Sequence, residues 1–246
     1  MGVYEEVARL IKKSEGNAVA LTGAGISADS GIPTFRGKDG LWRKYSPQEL
    51  ATPEAFERDP ELVWEWYEWR ISLIKKADPN PAHLALAEME RLGYLRCVVT
   101  QNVDDLHERA CTKCLVKLHG DIMTAKCTRC GFEVKWKEVP KGVPKCPLCC
   151  SPMRPAVVWF GEPLPMEALI KAEELFSSAK VALVIGTSAV VQPAGSLPLL
   201  TKENGGYIIE INPDETALTP FADVVIREKA SVALSKILES LLGETE

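Results

Sequence analysis

The sequence predicts an α/β fold, a doubly wound parallel sheet with a smaller lobe made of two insertions. Six apolar runs of strand length recur along the 246 residues, nearly continuous rather than alternating, as strands buried on both faces read. Stretches with helical periodicity separate them, which is the rhythm of crossover connections. That rhythm breaks over residues 38–80 and again over 121–156.

A first helix is expected over Tyr4–Lys13 and a strand at Ala18–Leu21. The next turn, Gly23-Ala24-Gly25-Ile26-Ser27-Ala28, fits the G-x-G-x-x-G/A pattern of a phosphate-binding loop. No long helix opens from it. The chain instead reaches Gly31-Ile32-Pro33-Thr34-Phe35-Arg36-Gly37, a loop shaped by a proline and two glycines. Residues 38–80 carry no strand signal and hold a tryptophan-rich helix, Pro60–Lys76. The alternation resumes with helix Pro81–Leu92 and strands Cys97–Thr100 and Leu115–Leu118. Residues 121–156 show little periodicity. After them come helix Met166–Ser177, strand Val181–Ile185, helix Gly195–Lys202, strands Tyr207–Ile211 and Asp223–Ile226, and helix Ser231–Leu242. Residues 1–37, 81–120 and 157–246 therefore form a Rossmann-like dinucleotide-binding domain, 38–80 a helical insertion, and 121–156 a cysteine-rich module.

Ligands of open α/β sheets bind beyond the carboxyl ends of the strands. Those ends here read Thr22-Gly23-Ala24-Gly25, Gln101-Asn102-Val103-Asp104, His119-Gly120, Gly186-Thr187-Ser188 and Asn212-Pro213-Asp214. Turns favour Gly, Asn, Asp and Ser in any protein, so one such end carries little weight. A shared set that also holds Gln, His and Thr points to a binding crevice, with a dinucleotide as its ligand. The acidic ribose partner of a dehydrogenase is missing. Asp39 has the right distance but sits in a loop, and Asn212 is the better ribose candidate.

Composition narrows the classes further. A net charge of −5 argues against nonspecific nucleic-acid or anionic-membrane binding, and no apolar run approaches a membrane span. The first residues lack a signal-peptide core, so the expected location is cytoplasmic. Seven of the eight cysteines fall between Cys111 and Cys150, while Cys97 stands alone in an apolar run. Cys127-x2-Cys130 and Cys146-x2-Cys149, fifteen residues apart, have the spacing of a four-cysteine zinc-binding module. Four thiolates close the shell, so one structural Zn2+ is expected rather than a catalytic one. Cys150 is an alternative to Cys149. Cys111 and Cys114 form a third CxxC pair, read as free thiols or a disulfide. A nucleic-acid-binding ribbon is the rival reading of the module, with Lys126, Arg129, Lys135 and Lys137 but no aromatic stacking array. No direct nucleic-acid binding is expected.

GAGISADSGIPTFRG, TQNVDDLH, LHG, the paired CxxC motifs, VVWFGE, GTSAVVQP and INPDET occur in this order. In them the chain resembles the sirtuins, NAD-dependent protein-lysine deacylases, from about Leu21 to Ala230. The resemblance implies that NAD is consumed as co-substrate. Gly23, Ala24 and Gly25 would pack against its pyrophosphate. Thr34, Phe35 and Arg36 would lie in a mobile cofactor loop, Phe35 screening the ribose C1′ and Arg36 contacting phosphate, with Trp42 also at the cofactor. Gln101 would bond a ribose hydroxyl, Asn102 would hold the ribose or a water, and Asp104 the carboxamide. Gly186, Thr187, Ser188 and Val191 would bind phosphate and ribose, and Asn212, Asp214 and Ala230 the adenosine end. His119 would be the catalytic base, with Asn102 beside it. In the family's mechanism the acyl carbonyl oxygen attacks C1′, the nicotinamide–ribose bond breaks to release nicotinamide, and an alkylamidate forms. The base then activates a ribose hydroxyl, and water completes transfer to give free lysine and O-acyl-ADP-ribose. His83 and His107 lack a motif and receive no role.

Val157, Val158, Trp159, Phe160 and Gly161 resemble the segment that pairs with substrate peptide as an added strand. A buried core strand is the other reading of Val157–Phe160. On the Pro60–Lys76 helix, Val63, Tyr67, Arg70 and Ile74 share one face. An arginine there either reaches solvent or meets an anion. A tyrosine three residues before an arginine resembles the sirtuins that remove succinyl, malonyl or glutaryl groups, where the pair binds the distal carboxylate. The expected partners are acyl-lysine proteins or peptides, chromatin-associated proteins among those admitted. Mono-ADP-ribosyl transfer from the same NAD site is the alternative function.

Overall fold

The computed structural model describes residues 1–243. Its central element is β1 (Ala18–Thr22), whose five residues are all buried. The other strands are β2 (Leu95–Thr100), β3 (Leu115–Lys117), β4 (Gly120–Cys127), β5 (Glu133–Lys135), β6 (Met153–Val157), β7 (Val181–Ile185), β8 (Tyr207–Ile211) and β9 (Val224–Ile226). The helices are α1 (Val3–Lys13), α2 (Pro47–Leu50), α3 (Pro53–Arg58), α4 (Pro60–Lys76), α5 (Pro81–Arg91), α6 (Leu106–Arg109), α7 (Met166–Ser178), α8 (Leu197–Glu203) and α9 (Ala230–Gly243).

The large sheet has the order β3-β2-β1-β7-β8-β9, and every neighbouring pair in it is parallel. Alternate residues of its strands feed opposite cores, as the period of two requires. Ala18, Ala20, Leu183, Ile209 and Ile211 face α1, α5 and α9, through Ile11, Leu86, Met89, Leu234 and Ile237. Val19, Leu21, Val99, Val184 and Ile208 face α7 and α8, through Leu175, Phe176 and Leu197. Each large side chain so buried contributes about 1.5–3 kcal/mol. The chain steps outward from β1 through β2 to β3, then returns beside β1 as β7 and steps out the other way. The strand order therefore reverses between β1 and β7, where an open sheet leaves a crevice.

The second lobe combines α2, α3 and α4 with the small sheet β5-β4-β6. Prolines start all three helices, and Thr52 and Asp59 cap α3 and α4 by accepting from Ala55 N and Leu62 N. Helix α4 buries Val63, Trp64, Trp66, Tyr67, Ile71 and Ile74 against Ile122, Met123, Val157 and Trp159.

Two expectations need correction. Residues 121–156 are not without regular structure, because most of β4 and all of β5 and nearly all of β6 lie there in antiparallel pairing. The signal is weak for physical reasons: β5 is exposed throughout, and the β4–β6 register shifts between Asp121 and Ala125. The cysteine reading also changes. Cys114 is disulfide-bonded to Cys97, while Cys111 is a free, exposed thiol. Parallel pairing of β2 and β3 explains the partner, since Val98 N donates to Cys114 O at 3.0 Å. Cys111 has φ 68, in a turn that leaves its thiol exposed.

Candidate active site

A cavity of about 640 Å³ opens at the carboxyl ends of β1 and β7 and extends between the two lobes. Its size falls in the range of small-molecule clefts, roughly 300–1,000 Å³. Every predicted site residue outside the cysteine module lines it, from Gly23 through Tyr67, Arg70 and His119 to Ala230.

The floor is made by two loops packed backbone to backbone. Gly25 N donates to Gly186 O at 2.8 Å. A Cβ on Gly23 would lie 2.7 Å from Gly186 O, and one on Gly25 the same distance from Gly186 Cα. Gly186 itself has φ +62, and a Cβ there would lie 2.5 Å from Ile26 N. The glycines are therefore required by loop contact even before any ligand is considered.

His119 stands where β3 gives way to β4. Its Nδ1 lies 3.0 Å from Gln101 O. A carbonyl only accepts, so Nδ1 carries the proton and Nε2 keeps its lone pair. Burial lowers the His119 pKa from 6.5, partly offset by that hydrogen bond, so the ring is neutral near pH 7. Asn102 Nδ2 donates to Gly23 O at 3.0 Å, and Gln101 Nε2 to Thr187 Oγ1 at 2.9 Å. Asp104 is 7% exposed, and its oxygens already accept from Ser27 Oγ and Leu106 N. Burial raises its pKa. His83 and His107 lie behind this layer, bonded to Ser27 and Thr22. Burial lowers them to about 4 and about 3, so both are neutral packing elements.

The opposite wall belongs to the second lobe. Trp159 Nε1 donates to Tyr67 Oη at 2.9 Å, which fixes the phenol. The Arg70 guanidinium lies 4.7 Å from the Trp66 ring centroid, 4.9 Å from Phe35 and 5.4 Å from Tyr67. Arg70 thus stays within the cavity among aromatic faces rather than reaching away into solvent. No described carboxylate forms an ion pair with it. Burial raises the Tyr67 pKa and lowers that of Arg70, so the pair offers a phenol proton and a poorly solvated cation. Trp42 stacks on Trp66 at 5.7 Å and meets Phe35 at 5.1 Å.

Val157 ends β6, and the following residues turn. Trp159 is buried whereas Phe160 is 42% exposed, so one segment serves both the core and the cavity rim. Arg154 sets this turn. Its guanidinium pairs with both Glu162 oxygens, donates to Val157 O at 2.9 Å and lies 3.6 Å from the Trp159 centroid. Val158 N donates to His119 O at 2.8 Å, tying the rim to the base.

The sulfur atoms of Cys127, Cys130, Cys146 and Cys149 lie within 4.8 Å of one another. Tetrahedral zinc at about 2.3 Å from each sulfur needs separations of about 3.8 Å. Cys127–Cys149 at 3.4 Å and Cys130–Cys146 at 3.5 Å fit that requirement with little movement. Backbone N–H groups of Arg129, Cys130 and Leu148 point at the Cys127 and Cys146 sulfurs, as suits thiolates. Cys149 rather than Cys150 completes the set, and four thiolates leave no position for a reacting water.

The model of the Sir2 family matches residues 23–193. The chain belongs to the Sir2 family. It is 55% identical over 243 residues to an NAD-dependent protein deacylase of Pyrococcus abyssi, covering 96% of this chain and 97% of the relative. A mutant Sir2 homologue in complex with ADP-ribose superposes with a TM-score of 0.95 at 52% identity, over 97% of this chain and 96% of the other. A Sir2 homologue–NAD complex gives 0.92 at 52% identity, over 97% and 94%.

Sequence reasoning passed over Ser27 and Thr216, which also line this Sir2-family cavity, and Arg154 and Glu210, which stand behind it, bonded to Val157 and Thr216 of its walls. Ser27 links Asp104, His83 and Asn102. It sits inside the glycine turn, where its position was on view but its partners were not. Arg154 carries no local signal, because Glu162 and Trp159 meet it only through the turn. Glu210 and Thr216 shape the far end, and the signal there was an acid inside the apolar run Tyr207-Ile208-Ile209-Glu210-Ile211.

Proposed function

We propose that this chain is an NAD-dependent protein-lysine deacylase that moves the acyl group from lysine to ADP-ribose, with a preference for acyl groups ending in a carboxylate. The observation that carries the reading is the meeting, in one cavity at the β1/β7 switch point, of the glycine floor with a neutral His119. Bound NAD supplies a breakable nicotinamide–ribose bond and an acyl acceptor. The glycine floor suits close approach of a pyrophosphate. Gln101, Asn102 and Asp104 supply polar groups for the nicotinamide and ribose. His119 Nε2 takes a proton from a ribose hydroxyl, and the Gln101 carbonyl holds the ring in the tautomer this needs. Phe35, Trp42 and Phe160 form an aromatic rim that excludes water from a reactive centre.

The acyl preference rests on Arg70 and Tyr67. An arginine without an ion-pair partner among the described residues, in a partly desolvated cavity, favours an incoming anion, and a fixed phenol adds a donor. The four-cysteine cluster supports the reading of one structural zinc ion that ties the small sheet together. No described helix is long and apolar enough to cross a membrane; the expected substrates are acyl-lysine proteins, including chromatin-associated ones.

The test incubates the chain with NAD and an acylated peptide and follows products by mass spectrometry. Free lysine peptide, nicotinamide and O-acyl-ADP-ribose are expected, all lost in His119→Tyr. A mass gain on peptide or protein instead would assign mono-ADP-ribosyl transfer.

A further inference from the structure

Glu210 interrupts the apolar strand β8 and is completely buried. A carboxylate removed from water is costly unless donors surround it. Here they do. Thr216 Oγ1 donates to Oε1, Thr219 Oγ1 donates to Oε2 at 2.8 Å, and Arg227 Nη1 donates to Oε2 at 3.0 Å.

Arg227 follows β9 directly and reaches past Glu210. Its Nη1 also donates to Asn212 O at 3.1 Å and Asp214 O at 2.9 Å, and its Nη2 to Thr219 Oγ1 at 3.2 Å. One guanidinium thus gathers two backbone carbonyls, a hydroxyl and a buried carboxylate. The segment so gathered, Asn212–Thr216, forms one wall of the cavity, whereas Glu210, Thr219 and Arg227 do not line it. The clasp lies behind the wall and shapes it.

Stability alone does not account for this arrangement, because a buried ion pair is commonly no better than apolar residues of the same volume. What a fork of donors does supply is fixed geometry at several acceptors at once. We propose that Glu210 and Arg227 are positioning residues for the co-substrate. They hold the Asn212–Thr216 wall in the shape that receives the adenosine half of NAD, and so set the affinity for NAD without touching it. The inference rests on the functional reading above, in which that wall meets adenosine.

The test measures ADP-ribose affinity by calorimetry and full kinetics in wild type, Arg227→Met and Arg227→Lys. Arg227→Met should weaken ADP-ribose binding and raise KM for NAD by about tenfold. At saturating NAD, kcat and the KM for acyl peptide should stay within about twofold, because none of Glu210, Thr219 and Arg227 lines the cavity. Lysine should restore only part of the affinity, since a point charge cannot reach all the acceptors. Should Arg227→Met fail to fold, Thr219→Val removes one hydroxyl of the clasp and should shift the same two constants in the same direction. Unchanged ADP-ribose affinity in the folded variants, or a fall in kcat with KM for NAD constant, would overturn the proposal. A wild-type chain that binds no ADP-ribose would instead remove the functional reading beneath it, and is told apart because it shows before any substitution.

Discussion

Arg70 packs against Phe35, Trp66 and Tyr67 and has no ion-pair partner among the described residues. If an acyl carboxylate is that partner, Arg70→Met should lower kcat/KM for a succinyl-lysine peptide by about 10–100-fold, the worth of a charged hydrogen-bonded pair. Turnover of the matching acetyl peptide should change by no more than about threefold. His119 gives a second test at this scale. Its lowered pKa means that the neutral base predominates at pH 7 and is lost as pH falls through a value below 6.5. A profile of kcat/KM should therefore hold its plateau above pH 7 and fall along an acid limb centred below pH 6.5; a limb centred above pH 7 would assign the proton transfer to another group. Both residues were legible in the sequence, His119 through its motif and Arg70 through its helical spacing. Arg154 was not, because its partners Glu162 and Trp159 are brought in by a turn, and the acid inside the apolar run of β8 marked Glu210 without revealing Thr216, Thr219 and Arg227 as its partners.

At the scale of elements, the parallel sheet was readable because strands buried on both faces are continuous apolar runs. Its predicted strands and helices end within about two residues of those observed, such as Cys97–Thr100 for β2 (Leu95–Thr100). The antiparallel sheet was not readable, since β5 is wholly exposed and β4 carries a register shift. The Cys97–Cys114 pair was equally hidden, because only the pairing of β2 with β3 makes those residues neighbours. Two elements give predictions. Gly186→Ala places a Cβ 2.5 Å from Ile26 N at φ +62, so it should cost about 2–3 kcal/mol in urea unfolding and weaken NAD binding. Cys146→Ser should reduce bound zinc, measured by atomic absorption, from one ion per chain to near zero. It should lower Tm while leaving the circular dichroism of the large sheet largely in place.

The whole molecule is two lobes sharing one cavity, with the co-substrate side built on the β1/β7 switch point and the acyl side on α4 and the β6 turn. Two buried histidines behind that cavity tie its integrity to pH. His83 and His107 have folded-state pKa values of about 4 and about 3, below the unfolded value of 6.5. The unfolded chain therefore binds more protons in that window, and stability should fall by a few kcal/mol as pH drops from about 6.5 towards 3. Urea midpoints at pH 7, 5 and 4 should decline in that order, and a flat series would contradict neutral burial of these rings. The most direct measurement concerns the cavity itself. Acetylated and succinylated versions of one peptide compete for wild type and Arg70→Met in the presence of NAD, with nicotinamide and both deacylated products followed together. Faster desuccinylation by wild type, abolished selectively in Arg70→Met, is the predicted result. Equal losses on both peptides, or wild-type preference for the acetyl group, would contradict it.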